Sequence, residues 1–273
     1  MKLLLYIRYD GADYCGYQTQ ANGRTVQQTL NMATEALFGH PCDITGCSRT
    51  DSGVHARMFC ATVTRHGEGG LTTTVPVERI PRALNIRLPD TLAVWEALWV
   101  PEDFHARYAV TSKEYEYRIY NAPERDPFEV KRSWHIPTPI TDEALAAMNE
   151  AARHLIGTRD FSACMASGSA VADTVRTVMD ACVVREGDVV LFRVRADGFL
   201  YNMVRIMMGT LVEVAYGKIS PDDIPSRLDS LERARMGRTA PAEGLYLNRV
   251  FYDDPDRPGY HRGGEQREAE ALG

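Results

Sequence analysis

A short polar segment, Gly46–Ala56, holds the residue types in this chain that most clearly suggest chemistry. It combines the guanidinium of Arg49, the carboxylate of Asp51 and the imidazole of His55 between two segments that alternate like β-strands. Gly53 can adopt the positive φ that a tight turn needs. Loops held by rigid elements often carry functional residues. An ionised carboxylate in such a loop could act as a nucleophile or stabilise developing positive charge. On residue types alone, however, the favoured interpretation is an Arg-Thr-Asp turn with a surface ion pair, because most charged loop residues have no catalytic role.

Two further residues stand out by their surroundings. Arg205 lies in Leu200–Tyr216, a strongly apolar segment that predicts a helix, and a charge in such a place needs a partner. Tyr115 lies in a predicted strand on the same face as Tyr117 and Ile119. Taken alone, that spacing favours a core-packing role for Tyr115.

The first part of the chain predicts the order β-α-β-β-α-β. A capping box at Thr25 begins the first helix and Gly39 ends it. The other predicted elements are strands over Lys2–Asp10, Asp43–Cys47, Arg57–Thr64 and Leu92–Val100 and a helix over Val77–Leu84.

The second part repeats that order. Its predicted strands are Lys113–Asn121, Thr174–Arg185, Val189–Arg195 and Leu245–Tyr252, and its helices are Thr141–Ile156, closed by Gly157, and Leu200–Tyr216. Each part of the chain therefore carries one copy of the split-βαβ pattern. The sequence therefore predicts an α+β fold of two ferredoxin-like halves, residues 1–105 and 106–252, that could share a sheet and leave a cleft between them. Residues 253–273 lack periodicity and are expected to be a disordered tail.

Composition and charge limit the possible functions. The chain has 273 residues and a net charge of −6, which argues weakly against a nucleic-acid partner, although the last 21 residues carry half of that charge. The six cysteines form no Cys-x-x-Cys pair and no histidine cluster accompanies them, so we predict no zinc site. The sequence also has no glycine-rich nucleotide-binding loop, so we predict no nucleotide cofactor. Met1–Asp10 does not resemble a signal peptide, and no apolar run reaches the length of a membrane span. We expect a protein of the reducing cytoplasm.

Four motifs in chain order are similar to those of one family. They are Arg49–Ala56, then Phe104–Arg107 with Lys113–Tyr117, then Phe199–Arg205 with Gly209, and finally Ala240–Leu247. Together they resemble the tRNA pseudouridine synthase A family and span nearly all of residues 1–252. Ser48 is a small departure, since many bacterial members carry glycine before the arginine.

The resemblance implies a fold and a set of site residues. The fold is two ferredoxin-like halves sharing a mostly antiparallel sheet with a central cleft. Asp51 is implied as the catalytic carboxylate and Arg205 as its ion-pair partner. Arg49 is implied to hold the flipped-out nucleotide near the phosphate backbone, and Tyr115 to stack on the target base.

The resemblance also implies the reaction. The N1–C1′ bond of a uridine breaks and a C5–C1′ bond forms, at positions 38 to 40 of tRNA, without metal or cofactor and in a homodimer. Attack of Asp51 on C1′, addition to the base and a glycal intermediate are all compatible with these residues. Two other functions remain open at this stage: an RNA-binding protein with a vestigial loop, and a carboxylate-dependent nucleoside hydrolase, which would need a second acid/base group.

Overall fold

A computed structural model describes residues 1–67, 70–168 and 171–252. Its ten strands are β1 Lys2–Tyr9, β2 Cys42–Gly46, β3 His55–Arg65, β4 Leu92–Val100, β5 Val110–Tyr120, β6 Trp134–His135, β7 Gly157–Asp160, β8 Val175–Glu186, β9 Val189–Ala196 and β10 Leu245–Tyr252. Its five α-helices are α1 Val26–Phe38, α2 Ile80–Asn85, α3 Asp142–Arg153, α4 Met203–Ala215 and α5 Ile224–Asp229.

The strand order confirms the predicted fold class. In the first half, β4, β1, β3 and β2 pair in that order, all antiparallel. In the second half, β10, β5, β9 and β8 pair in the equivalent order, and β7 extends the edge. Both arrangements are the split-βαβ topology. The protein is therefore an α+β fold with one large, mostly antiparallel sheet.

A short parallel contact joins the two halves. His55 and Ala56 at the start of β3 pair with Tyr246 and Leu247 of β10. Since β3 directly follows the Asp51 loop, this junction brings the loop to the centre of the sheet. Helices cover the sheet on both sides of the junction, with α1 against β2, α2 against β4 and α3 against β8 and α4.

Thr25 and Gly39 fix the ends of α1 as the sequence predicts, although among the described residues only the threonine half of the predicted capping box forms. The Thr25 hydroxyl accepts a hydrogen bond from the Gln28 N–H at 3.3 Å, and Gly39 adopts a left-handed conformation with φ of 74°. At α3 the prediction was wrong. The helix ends at Arg153 rather than Ile156, and Gly157, with φ of 124°, begins β7 instead of closing a helix.

The sequence reading also missed several short elements. The two-residue strand β6, the edge strand β7 and the six-residue helix α5 were not predicted, and α4 begins at Met203 rather than Leu200. Residues 253–273, expected to be a tail, lie outside the described residues. No helix within the described parts of the chain has the length and apolar character needed to cross a membrane.

Candidate active site

The Asp51 loop connects β2 to β3 and is fixed at both ends. At its start the Cys47 N–H donates to the Cys60 carbonyl oxygen at 2.8 Å, and at its end Val54 N–H donates to the Asp51 carbonyl oxygen at 3.2 Å. Between them Gly53 has φ of 81°, the left-handed conformation predicted for this turn. The loop therefore presents the Asp51 side chain from a rigid sheet rather than from a flexible connection.

Thr50 attaches the middle of the loop to the first half of the protein. Its hydroxyl lies 2.8 Å from the hydroxyl of Tyr9, and its carbonyl oxygen accepts a hydrogen bond from the Tyr17 N–H at 3.1 Å. Gly16 passes so close that an added Cβ would lie 2.8 Å from the Thr50 carbonyl oxygen. This close approach requires glycine and holds the backbone next to Asp51.

Arg205 pairs with Asp51, as the resemblance implied. Its Nη1 atom lies 3.3 Å from Asp51 Oδ2. The same Nη1 donates to Asn202 Oδ1 at 2.6 Å, and Nε donates to the Ala240 carbonyl oxygen at 2.7 Å. These partners fix the plane of the guanidinium, so the arginine faces the carboxylate in one orientation.

Burial and pairing act on Asp51 in opposite directions. Burial raises the pKa of its carboxyl above the ordinary range, because water no longer fully solvates the charged form. The charge of Arg205 and its hydrogen bond to Asp51 lower the pKa and offset part of that rise. The carboxyl is 34% exposed, so it remains open to the cleft.

Tyr115 lies in the same cleft on β5, one face of which it shares with the buried Tyr117. Its hydroxyl is 3.3 Å from Ser48 Oγ, and Phe199 packs edge-on at 5.0 Å between ring centroids. The tyrosine is only 6% exposed, and this burial raises the pKa of its phenol well above the usual value. A neutral phenol thus lines the wall beside Asp51.

The cleft has a volume of about 650 Å³ and collects all four predicted site residues: Arg49, Asp51, Tyr115 and Arg205. Arg49 is exposed, and it has no ion pair with any of the described residues. The surface ion pair considered from its residue type is therefore not formed. A volume of this size lies within the range of small-molecule sites.

A larger groove, of about 890 Å³, surrounds Trp95 and Tyr246 but contains none of the four residues. We assign the site to the smaller cleft, because it holds the paired carboxylate. His55 lines the larger groove and is almost fully buried. Its Nδ1 accepts from the Gly11 N–H at 3.0 Å and its Nε2 lies 3.2 Å from the Glu243 carbonyl oxygen.

These contacts give His55 a structural place rather than a catalytic one. Burial lowers the pKa of its imidazole, although the Asp10 carboxylate 3.1 Å from Nδ1 opposes that change. A neutral ring with hydrogen on Nε2 satisfies both backbone contacts. The ring also stacks on Tyr246 at 4.5 Å, so it ties the start of β3 to the second half.

Sequence reasoning missed Asn202, Phe199 and the Ala240 carbonyl as parts of the site. One signal was available for Asn202, because it stands three residues before Arg205 at a helix start, where the two side chains can meet. In the described ranges, no group of three or more His, Cys, Asp or Glu residues is arranged to hold a metal ion. Groups that could bind a polyanion are present instead: Arg49, Arg107 and Lys113 line the cleft.

Comparisons with known proteins identify the family of the chain. The family model described as tRNA pseudouridine synthase matches residues 5–109 and 151–253. The chain is 45% identical over 249 residues to the tRNA pseudouridine synthase A of Acetivibrio thermocellus, covering 91% of this chain and 98% of the relative. It is 41% identical over 256 residues to that of Bacillus subtilis, covering 93% and 100%.

Among the solved structures that align is the crystal structure of a Cbf5-Nop10-Gar1 complex, at 13% identity and a TM-score of 0.36, over 91% of this chain and 50% of that chain. That likeness is too low to carry an argument. The family match covers most of both halves of the chain, including Asp51 and Arg205, and the sequence relatives align over more than nine-tenths of it. The chain therefore belongs to the tRNA pseudouridine synthases, isomerases that act on uridine in tRNA.

Proposed function

We propose that this protein isomerises uridine to pseudouridine at positions 38 to 40 in the anticodon arm of tRNA, with Asp51 as the nucleophile and without a cofactor. The observation that carries the proposal is the Asp51–Arg205 pair at 3.3 Å, inside a cleft that belongs to a tRNA pseudouridine synthase. The choice of the anticodon arm rests on the four motifs that resemble the synthase A family.

The reaction rearranges one nucleotide without a group donor. The N1–C1′ bond breaks, the uracil turns within the cleft, C5 bonds to C1′, C5 loses a proton and N1 gains one. An ionised Asp51 can attack C1′ or stabilise its developing positive charge. Arg205 favours the ionised form of Asp51, and the fixed hydrogen bonds of Arg205 to Asn202 and Ala240 keep it in place through the reaction.

The target base must leave its stem or loop stack to reach Asp51, because a stacked nucleotide cannot place C1′ against a carboxylate inside a cleft. We propose that Tyr115 contacts the extruded uracil and that Arg49, exposed on the cleft wall, holds the backbone in the flipped conformation. Among the described residues that line the cleft, four side chains are cationic and one is a carboxylate. The cleft is therefore locally basic, although the chain has a net charge of −6. Local charge of this kind is what binding to RNA requires.

We extend the proposal to a homodimer that works in the cytoplasm, as the family resemblance implies. Light scattering coupled to size-exclusion chromatography tests the dimer. A mass near twice 30.5 kDa supports it, and a mass near 30.5 kDa contradicts it.

Incubation with unmodified tRNA, followed by carbodiimide mapping, tests the reaction and the position together. We expect new pseudouridine at positions 38 to 40 and none when those uridines are replaced by cytidine. Unchanged RNA would indicate a binding protein with a vestigial loop. Release of free uracil would indicate a nucleoside hydrolase, and pseudouridine elsewhere would refute the assigned position.

A further inference from the structure

Lys113 is a cation in the cleft to which the reaction gives no role. It lies on β5 two residues before Tyr115, so both side chains point to the same face of the strand, about 7 Å apart along it. Among the residues described, no carboxylate pairs with its ammonium group and no hydrogen-bond acceptor is in place. The lysine is nevertheless largely buried.

The surroundings of Lys113 supply no counter-charge. The buried Cys47 thiol lies close by, but burial raises the pKa of that thiol, which therefore stays neutral. Arg107 is a second cation close enough to oppose the lysine's charge. Asp51, the single carboxylate among the described residues that line the cleft, is already paired with Arg205. Burial lowers the pKa of Lys113, with Arg107 adding to that effect.

An unpaired buried cation destabilises a folded protein unless a ligand completes it. The arrangement fits an anion, because Lys113 and the exposed Arg107 line one cleft and no acid of the described residues neutralises either. A lysine offers a compact charge with three donors, which suits a phosphate oxygen.

We propose that Lys113 and Arg107 form a phosphate-binding subsite, which holds a backbone phosphate next to the uridine that enters the cleft. This inference rests on the proposed function, because it takes RNA as the ligand. The subsite lies beside Tyr115 on the same strand face, so phosphate and base are held by neighbouring positions of one rigid element. The bound phosphate then supplies the counter-charge that Lys113 lacks in the free protein.

The salt dependence of RNA binding tests the subsite. We expect Lys113→Met to weaken binding of an unmodified anticodon stem-loop RNA about ten-fold at low salt. The plot of log K against log salt has a negative slope, and its magnitude should decrease by about 0.7 to 0.9, the value for one lost phosphate contact. KM for tRNA should rise more than kcat falls, and the melting temperature should stay equal or rise, because an unpaired buried charge is removed.

Two further variants complete the test. Lys218→Met, at an exposed position outside the cleft, should leave slope, affinity and turnover at wild-type values. Arg107→Gln changes an exposed residue, so it should fold even if Lys113→Met does not, and it should also lower the slope. Unchanged slopes for the cleft variants, in an enzyme that forms pseudouridine, would overturn the subsite alone. If the slopes of the wild type and the cleft variants differ as expected but the wild type forms no pseudouridine, the proposed reaction is overturned and the subsite stands.

Discussion

Asp51 and Arg205 form an ion pair at 3.3 Å although they stand 154 positions apart in the chain. Asp51 comes from the loop before β3 in the first half, and Arg205 from helix α4 in the second. The pair therefore exists only when both halves are joined. The cleft that contains the pair is likewise lined by residues of both halves.

The first prediction concerns Asp51. Asp51→Asn keeps the shape of the side chain but removes the charge that the proposed reaction needs, so pseudouridine formation should fall to a trace while tRNA binding is retained. Single-turnover assays and filter binding measure the two effects. The matched control is Asp43→Asn, an exposed carboxylate on β2 that pairs with His66, and this variant should remain fully active. Turnover by Asp51→Asn well above a trace would refute the assignment.

The second prediction is a pH shift caused by Arg205. The pKa of Asp51 is raised, so the rate should increase with pH as the carboxyl ionises at a pH above that of an ordinary aspartate. Because Arg205 lowers that pKa, Arg205→Gln should move the acid limb of the kcat profile to higher pH as well as reduce kcat. A profile of single-turnover rates against pH measures the midpoint. A midpoint that stays in place or moves to lower pH would contradict the role given to the pair.

The third prediction separates stability from activity at Asn202. This residue has φ of 61°, a conformation that glycine adopts without strain, and its side chain bonds Arg205 instead of capping its own helix. Asn202→Gly should keep the free energy of unfolding within about 1 kcal/mol of wild type, because relief of strain offsets added chain entropy. The lost hydrogen bond should lower kcat roughly ten-fold, since Arg205 is then less firmly oriented.

A control for Asn202 is available in Leu231, an exposed residue with the same φ of 61° away from the cleft. Leu231→Gly should leave kcat unchanged and unfold at an equal or higher temperature. Thermal denaturation and single-turnover kinetics of both variants give the comparison. Equal kinetic effects from the two substitutions would show that backbone conformation, and not the bond to Arg205, accounts for the change.

The sequence predicted the order of the strands and some local features better than the ends of the elements. Local signals, such as the threonine cap of α1 and the positive φ at Gly53, depend on neighbouring residues and were confirmed. The end of α3 was wrong, because Gly157 can serve a helix cap or an edge strand equally well, and pairing with the distant β8 decides between them. Burial of Glu116 was also not predicted, since an acid between two tyrosines on a strand normally faces water.

The fourth prediction tests the contact of Tyr115 with the target base. Tyr115→Phe loses the hydroxyl near Ser48 but keeps the ring, so tRNA affinity should stay close to wild type. Tyr115→Leu keeps apolar volume without an aromatic face, and it should weaken binding by ~1–3 kcal/mol. Alanine is avoided, because Tyr115 is buried and its removal would leave a cavity. Equal affinities for the phenylalanine and leucine variants would refute stacking.

The fifth prediction concerns the junction itself. Glu116 on β5 is 1% exposed and binds Arg57 of β3 at 2.8 Å and Arg193 of β9 at 2.9 Å, so it ties the first half to the second. Glu116→Gln should destabilise the protein by about 1–2 kcal/mol, at the low end for a buried charge, because both arginines are partly exposed and can turn to water. Glu186→Gln removes the exposed partner of the same Arg193 and should change the free energy of unfolding little.

Because the Asp51–Arg205 pair spans the same junction, loss of kcat at sub-denaturing urea should begin at a lower urea concentration in Glu116→Gln than in Glu186→Gln. Identical urea profiles for activity and unfolding in the two variants would show that Glu116 does not hold the halves together.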